Sequence, residues 1–169
     1  FVSTEEYNPE ILSISIDFGV VLDGWHADAC RTVMIGTVSK SVYKLVSRTK
    51  RSLYRGIAQA RAGNRTGDIG QAIQNFVEQF GYSPVEETVG HGIGRKLHED
   101  PEVPNFGKAG KGTKLRAGMV ICIEPIINAG THKISLDKDK WTTRTYDGKF
   151  SAHFEHQILI TENEPEILT

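Results

Sequence analysis

Between Ile14 and Cys30 the chain alternates apolar and polar positions in two runs, with Asp23-Gly24 between them. A dipeptide of this kind between alternating runs is a strong hairpin signal, because the two-residue turn it forms needs positive φ. Closing the turn pairs Leu22 with Trp25, Gly19 with Asp28 and Asp17 with Cys30. Side chains alternate faces along a strand. Ile14, Ile16, Phe18, Val20 and Leu22 therefore share one face with Trp25, Ala27 and Ala29, and that face is expected to be core. The opposite face carries Asp17, Gly19, His26, Asp28 and Cys30. Asp17 and Asp28 become diagonal neighbours there, with β-carbons roughly 7–8 Å apart. Like charges that close repel unless a cation lies between them. The hairpin reads either as half of a metal site or as two aspartates facing water on the polar side of a half-buried sheet. By itself it leaves both open.

Residues 1–12 form a polar lead-in without periodicity. Past the hairpin, Thr37 to Lys40 is a helix entry, and Val42, Leu45, Val46, Leu53, Ile57 and Ala60 recur at helical spacing. This predicts a helix to Ala62 with Gly63 as its stop. A second helix follows, capped by Thr66, striped by Ile69, Ile73, Phe76, Val77 and Phe80, and ended by Gly81. Between Asp28 and Asp68 there is no acidic residue, while Lys40, Lys44, Arg48, Lys50, Arg51, Arg55, Arg61 and Arg65 all fall there. A solvated helix face and a docking surface for RNA or another anionic partner both fit. No nucleic-acid motif or aromatic interleaving supports the second.

Gly90-His91-Gly92-Ile93-Gly94 sets glycines around one histidine, which frees the backbone and lets another group approach closely. His98 fits a plain loop residue and a functional one equally well. Residues 105–118 are rich in Gly and Lys, but Gly112 is followed by Thr113, so the phosphate-loop pattern is not met. Met119 to Ile127 is apolar on both faces and predicts one buried strand. Glu124 within it must meet a cation, be neutralised, or pair with an arginine such as Arg144, because an unpaired buried carboxylate costs several kcal/mol. Ser151 to Ile160 is a last strand, with Glu155 at its entrance. Trp141 could belong to the core or wall a pocket, and core is the expectation.

At 169 residues the chain has the length of one domain with a true core. A net charge of −1 gives no global attraction to nucleic acid or membranes. No apolar run approaches the ~20 residues that span a bilayer, and no stretch reads as a signal peptide. Cys30 and Cys122 imply no disulfide framework, which suits a reducing cytoplasm. A first residue of Phe1 rather than Met marks the expectation of a fragment or processed form.

Asp17, Asp28, His91, Glu124 and Glu155 are the candidate ligands: carboxylates and one imidazole, with no thiolate. That donor set suits manganese, iron, cobalt or zinc. So many anions exceed the need of one ion and suit two, about 3.5–4 Å apart, which activate water and polarise a carbonyl for amide hydrolysis.

Ile16-Asp17-Phe18-Gly19, Asp23-Gly24, His26-Ala27-Asp28, Gly90-His91-Gly92-Ile93-Gly94-Arg95, His98-Glu99, Pro101, Ile123-Glu124-Pro125 and Phe154-Glu155-His156 together resemble type I methionine aminopeptidase. The resemblance spans about residues 13–169, within one catalytic domain over 1–169. It implies an α+β pita-bread fold, a curved antiparallel sheet with outer helices, expected to be incomplete at the N-terminus. It also implies two divalent ions. Asp17 would chelate one, Asp28 and Glu155 would bridge both, and His91 and Glu124 would complete the other. Glu124 would shuttle the proton of the bridging water, and His98 would meet the substrate near the scissile peptide. Leu97 and Trp141 would line the methionine pocket. The implied reaction releases methionine from nascent polypeptide N-termini, in the cytoplasm. The ribosome is the implied partner of the basic 40–65 segment, with neither membrane nor specific DNA as partners. The short spacer between His98 and Glu124 favours type I over type II.

The resemblance departs at the front, where family members carry an upstream segment with another substrate-contacting histidine. Residues 1–12 do not reproduce it, which predicts an unpaired sheet edge and poor solubility or pairing with another chain. Two rivals remain: an aminopeptidase P or prolidase of the same fold, and a non-catalytic module binding peptides or ribosomes. Arg95 and His156 fit the methionine enzymes better, and non-catalytic relatives lose ligands that this chain keeps.

Overall fold

The computed structural model describes residues 13–169, so the expectation for the lead-in at 1–12 lies outside the described residues. In chain order the elements are β1 (Ser13–Leu22), β2 (Trp25–Met34), α1 (Lys40–Ile57), α2 (Thr66–Glu78), β3 (Ser83–Pro84), β4 (Gly90–Gly92) and β5 (Glu99–Val103). They continue with β6 (Val120–Ile123), β7 (Ile126–Asn128), β8 (Ile134–Leu136), β9 (Thr143–Thr145), β10 (Ser151–Leu159) and β11 (Glu166–Ile167). A nine-stranded sheet runs β1-β2-β10-β6-β4-β5, with β3, β7 and β11 joined beside this path, and β8 and β9 form a separate hairpin. The strand pairs are antiparallel.

The first hairpin has the register the sequence predicts: Leu22 opposite Trp25, Gly19 opposite Asp28, Asp17 opposite Cys30. Asp23 and Gly24 both take positive φ, 52° and 75°. Arg95 clamps this turn, its Nη1 donating to the Asp23 carbonyl at 3.1 Å and its guanidinium lying 3.9 Å over the Trp25 ring.

Among the described residues, nothing covers the apolar face of that hairpin. Phe18 is 60% exposed and Leu22 75%, and Ile16, Val20 and Trp25 are also more than half exposed. The helices explain this: α1 packs across β10, two strands away, and α1 and α2 pack on each other, while β1 is the edge strand among the described residues. Alternation marked the face correctly but could not say what covers it.

The core lies between the helices and the middle of the sheet. Val42, Leu45, Val46, Leu53 and Ile57 of α1 and Ile69, Ile73 and Val77 of α2 meet Ile121, Ile123, Ile127, Ala152, Phe154 and Ile158. Ser39 caps α1, its Oγ accepting from the Val42 amide at 3.3 Å. The helix stops at Ile57 rather than Ala62. Turn bonds from Gln59 and Ala60 then bend the chain so that Ala60 is buried from a turn, and Gly63 donates to the Leu115 carbonyl. Thr66 is not the cap of α2. It is the first helical residue, and the Asp68 carboxylate reaches back to the Arg65 amide at 2.7 Å.

Met119 to Ile127 is two strands rather than one. Pro125 has no amide to donate, so the ladder breaks at Glu124-Pro125. β6 pairs with residues 156–159 of β10 and β7 with residues 151–153. Trp141 is 79% exposed, at the turn between β8 and β9, where the Trp141 and Thr142 amides both donate to Asp139 Oδ1. A local aspartate turn, not packing, fixes its place. Among the described residues, no helix is long and apolar enough to cross a membrane.

Candidate metal centre

The apolar half of β10 faces the helices, and the alternate half builds the site. Glu155 lies opposite Cys30 of β2. In β6 the core residues are Ile121 and Ile123, so Cys122 and Glu124 face the other way. β1 contributes Asp17, opposite Cys30, and Gly19, opposite Asp28. β4 adds His91, beside the residue paired to Ile121. A Cβ on Gly90 would collide with the Cys122 carbonyl oxygen, and one on Gly92 with that of Asp100. Glycine on both sides of His91 is what lets this strand sit so close.

Four of the expected ligands, Asp28, His91, Glu124 and Glu155, come together, and Asp17 reaches them through His153, whose Nδ1 stands 3.9 Å from its Oδ2. His91 Nε2 stands 4.0 Å from Asp28 Oδ2 and 3.6 Å from Glu124 Oε1. Donor atoms of Asp28, His91, Cys122 and Glu155 lie within 4.8 Å of one another, as do those of Asp17, Cys30 and His153, and of Glu124, His153 and Glu155. Two donors each ~2.0–2.2 Å from one ion come within about 4 Å of each other. The observed spacing has that size.

The hydrogen bonds prepare the ligands. His91 Nδ1 donates to the Gly92 carbonyl at 2.9 Å, which fixes the ring with Nε2 toward the carboxylates. Asn105, wholly buried, donates to the Glu124 carbonyl at 3.1 Å. Buried Glu155 Oε1 and His153 Nε2 have no hydrogen-bond partner among the described residues. Two such orphans aimed into one carboxylate cluster fit a cation, since each costs on the order of 1–3 kcal/mol unmade. Electrostatics agree. Burial, then Glu124, pushes the Glu155 carboxyl up to about 8. Burial also raises the Asp17 carboxyl. Burial among these carboxylates holds the Cys30 and Cys122 thiols far above the usual range.

The substrate candidates divide. His98 is exposed, its ring edge-on to His91 at 4.4 Å between centroids. Both rings line a cleft of about 610 Å³ with Arg95, Lys96 and Glu99. Leu97 is half-buried, its Cδ1 within 3.4 Å of where a Cβ on Gly19 would stand. Trp141 stands on the β8–β9 hairpin, outside the large sheet. Arg144 does not pair with Glu124; it binds Asp137 at 2.7 Å. Sequence reasoning missed His153, although it lies two residues before Glu155 and therefore on the same face. His156, of the opposite parity, sits 3.4 Å from the Tyr54 hydroxyl on the helix side.

A sequence model described as metallopeptidase family M24 matches residues 9–162. The methionine aminopeptidase of Clostridium perfringens is 52% identical over 156 residues, covering 92% of this chain and 63% of its own. The crystal structure of methionine aminopeptidase from Thermotoga maritima superposes with a TM-score of 0.89 at 42% identity, over 92% of this chain and 62% of that one. The prolidase from Pyrococcus furiosus gives 0.73 at 22% identity, over 92% and 40%. At that identity the likeness shows the fold alone. The chain spans a little over three fifths of the length of the two methionine aminopeptidases.

Proposed function

The chain belongs to metallopeptidase family M24 and has its pita-bread fold, and from that premise we propose that it carries the metal site of an aminopeptidase releasing methionine from nascent polypeptide N-termini. The observation that supports this best is the convergence of Asp28, His91, Glu124 and Glu155 on one sheet face, with Asp17 joined to them through His153. These residues would hold two divalent ions, with cobalt, manganese, iron and zinc all suited to the donor set. Such ions supply Lewis acidity for the peptide carbonyl and a water nucleophile at neutral pH.

The chain's own residues do the rest. Glu124 takes the proton of the attacking water on a carboxylate oxygen and delivers it to the leaving amine nitrogen. His91, its Nδ1 bonded to the Gly92 carbonyl, is fixed in direction with Nε2 toward the carboxylates. His98, at the rim beside His91, donates to the substrate oxygen as charge develops there. Leu97 walls the methionine pocket from beside Gly19, whereas Trp141, exposed on the separate β8–β9 hairpin, has no contact that supports its expected place in that pocket. The test is release of amino acids from Met-Gly and X-Pro peptides by the metal-loaded protein that contains this chain. Methionine release without X-Pro cleavage is expected; X-Pro cleavage, or neither, overturns the reading.

A partner surface belongs to the same reading. α1 has six cations and no acidic residue, and among the described residues none of the six has a carboxylate within 4.0 Å. Arg48 stacks 3.8 Å over Phe80, and Arg51 and Arg55 lie 5.2 and 5.8 Å from the Phe76 ring. The aromatic interleaving absent from the linear sequence is thus supplied by Phe76 of α2 and by Phe80 just beyond it. Unpaired, partly ordered cations of this kind suit ribosomal RNA phosphates.

A further inference from the structure

We propose that Arg95 is a positioning residue: it ties the segment carrying Leu97 and His98 to the tip of the first hairpin, and so sets their distance from the metal face. This rests on the aminopeptidase reading above, which gives Leu97 and His98 their contacts with substrate.

Residues 94–98 join β4 to β5 as a run of bends, outside helix and strand. The segment's own bonds are local. The Gly94 amide donates to the Lys96 carbonyl at 3.2 Å, and the Lys96 amide to Glu99 Oε1 at 2.8 Å. Both travel with the segment and fix it to nothing else. Its anchors come from the first hairpin. The His26 amide donates to the Gly94 carbonyl at 2.9 Å. Beside that bond, Arg95 Nη1 donates to the Asp23 carbonyl at 3.1 Å, and its guanidinium lies 3.9 Å over the Trp25 ring. Gly24 leaves the guanidinium its place, since a Cβ there would stand 3.1 Å from Nη1. The same hairpin carries Asp17 and Asp28. A substrate-facing segment clamped to its tip therefore keeps one fixed relation to two of the expected ligands.

The plain alternative is that Arg95, which lines the cleft of about 610 Å³ with His91 and His98, is a free cation that attracts substrate. Its partners argue otherwise. One face of the guanidinium lies against the indole of Trp25, and an N–H is spent on the Asp23 carbonyl. A planar guanidinium stacks on a ring and donates in its own plane at once. An ammonium is a compact point charge without that fork. Lysine at this position would thus keep the charge and lose the clamp.

The kinetic consequence has a distinct form. Misplacing a reacting group by about 1 Å costs on the order of 100-fold. His98 acts on charge that develops during reaction, so its drift lowers kcat. Leu97 holds the methionine side chain, so its drift raises KM. Both constants should move. A change that only reduced the folded fraction would lower kcat at constant KM.

The experiment compares the cobalt-loaded protein that contains this chain with its Arg95→Lys and Arg95→Met variants. Amide hydrogen exchange, hydrolysis of Met-Gly peptides and calorimetric titration with cobalt are measured on each. In both variants the His26 amide should exchange at least about tenfold faster, while the buried strand amides of β6 keep their rates. kcat/KM should fall about 10–100-fold, with kcat lower and KM higher. Cobalt affinity should stay at the parent's value. If Arg95→Lys keeps the parent's kcat/KM, charge alone suffices and the proposal is overturned. It is overturned equally by unchanged exchange at His26, by faster exchange with unchanged kinetics, or by a fall in kcat at constant KM. A parent that binds cobalt and releases no methionine overturns the aminopeptidase reading and the proposal with it. An active parent beside unaltered variants overturns the proposal alone. Unaltered circular dichroism spectra show that the variants fold.

Discussion

Gly19 stands directly across the first hairpin from Asp28. A Cβ at position 19 would lie 3.8 Å from Asp28 Oδ1 and 3.4 Å from Leu97 Cδ1, ordinary contact distances. The glycine therefore leaves room for a methyl but not for a larger side chain. Gly19→Ala should leave metal affinity within about threefold. Gly19→Val should weaken it at least tenfold by crowding both neighbours, with the helical circular dichroism signal intact. Calorimetric titration of both variants with cobalt checks this.

The raised carboxyl of Glu155 makes the metal-free protein pH-sensitive. Its folded value is about 8 against an ordinary 4.5. Below pH 4.5 the native and unfolded chains both hold the proton, and the group's contribution to stability is fully present. Between those values the unfolded chain releases a proton that the native chain keeps, so stability falls as pH rises to about 8. The loss is on the order of a few kcal/mol. Urea midpoints in chelator should drop from pH 5 to pH 8, and Glu155→Gln should flatten most of that slope.

Gly90 has no room for a side chain. Gly90→Ala drives a methyl into the Cys122 carbonyl and must part β4 from β6. Overpacking against backbone costs at least about 1–3 kcal/mol. A urea midpoint lowered by that amount is expected, together with weaker metal binding, since His91 is the next residue.

The apolar face of the first hairpin, bare among the described residues, should behave as a sticky surface. Val20→Lys with Leu22→Lys changes two side chains that are 55% and 75% exposed. Stability should move by less than about 0.5 kcal/mol. Self-association measured by sedimentation velocity should fall; an unchanged profile would show that this face does not drive it.

Much of the site was legible because its chemistry rides on period-two strands. Asp23-Gly24 fixed the hairpin register, and register fixed which side of the sheet Asp17 and Asp28 share. Glu124 announced itself as a charge inside an apolar run. His153 did not, because His153, Glu155 and Gln157 read together as a polar edge of a half-buried strand. Only the neighbouring strand shows that this edge is enclosed. The fate of the Ile16 and Phe18 face was likewise hidden: alternation names a face, while coverage depends on where helices cross the sheet. Trp141 was misplaced for a related reason, since its position follows from a short turn around Asp139 and not from its apolar area. The helix ends were lost to bonds from outside, as where Gly63 answers Leu115.

The account turns on one spatial claim, that side chains from four strands enclose a pair of cations. Anomalous diffraction at the zinc edge, from crystals of the protein grown with zinc, measures it directly. Two peaks roughly 3.5–4 Å apart, ringed by Asp17, Asp28, His91, Glu124 and Glu155, are the predicted result. A site without anomalous density, or zinc bound elsewhere on the surface while these residues stay bare, would contradict it.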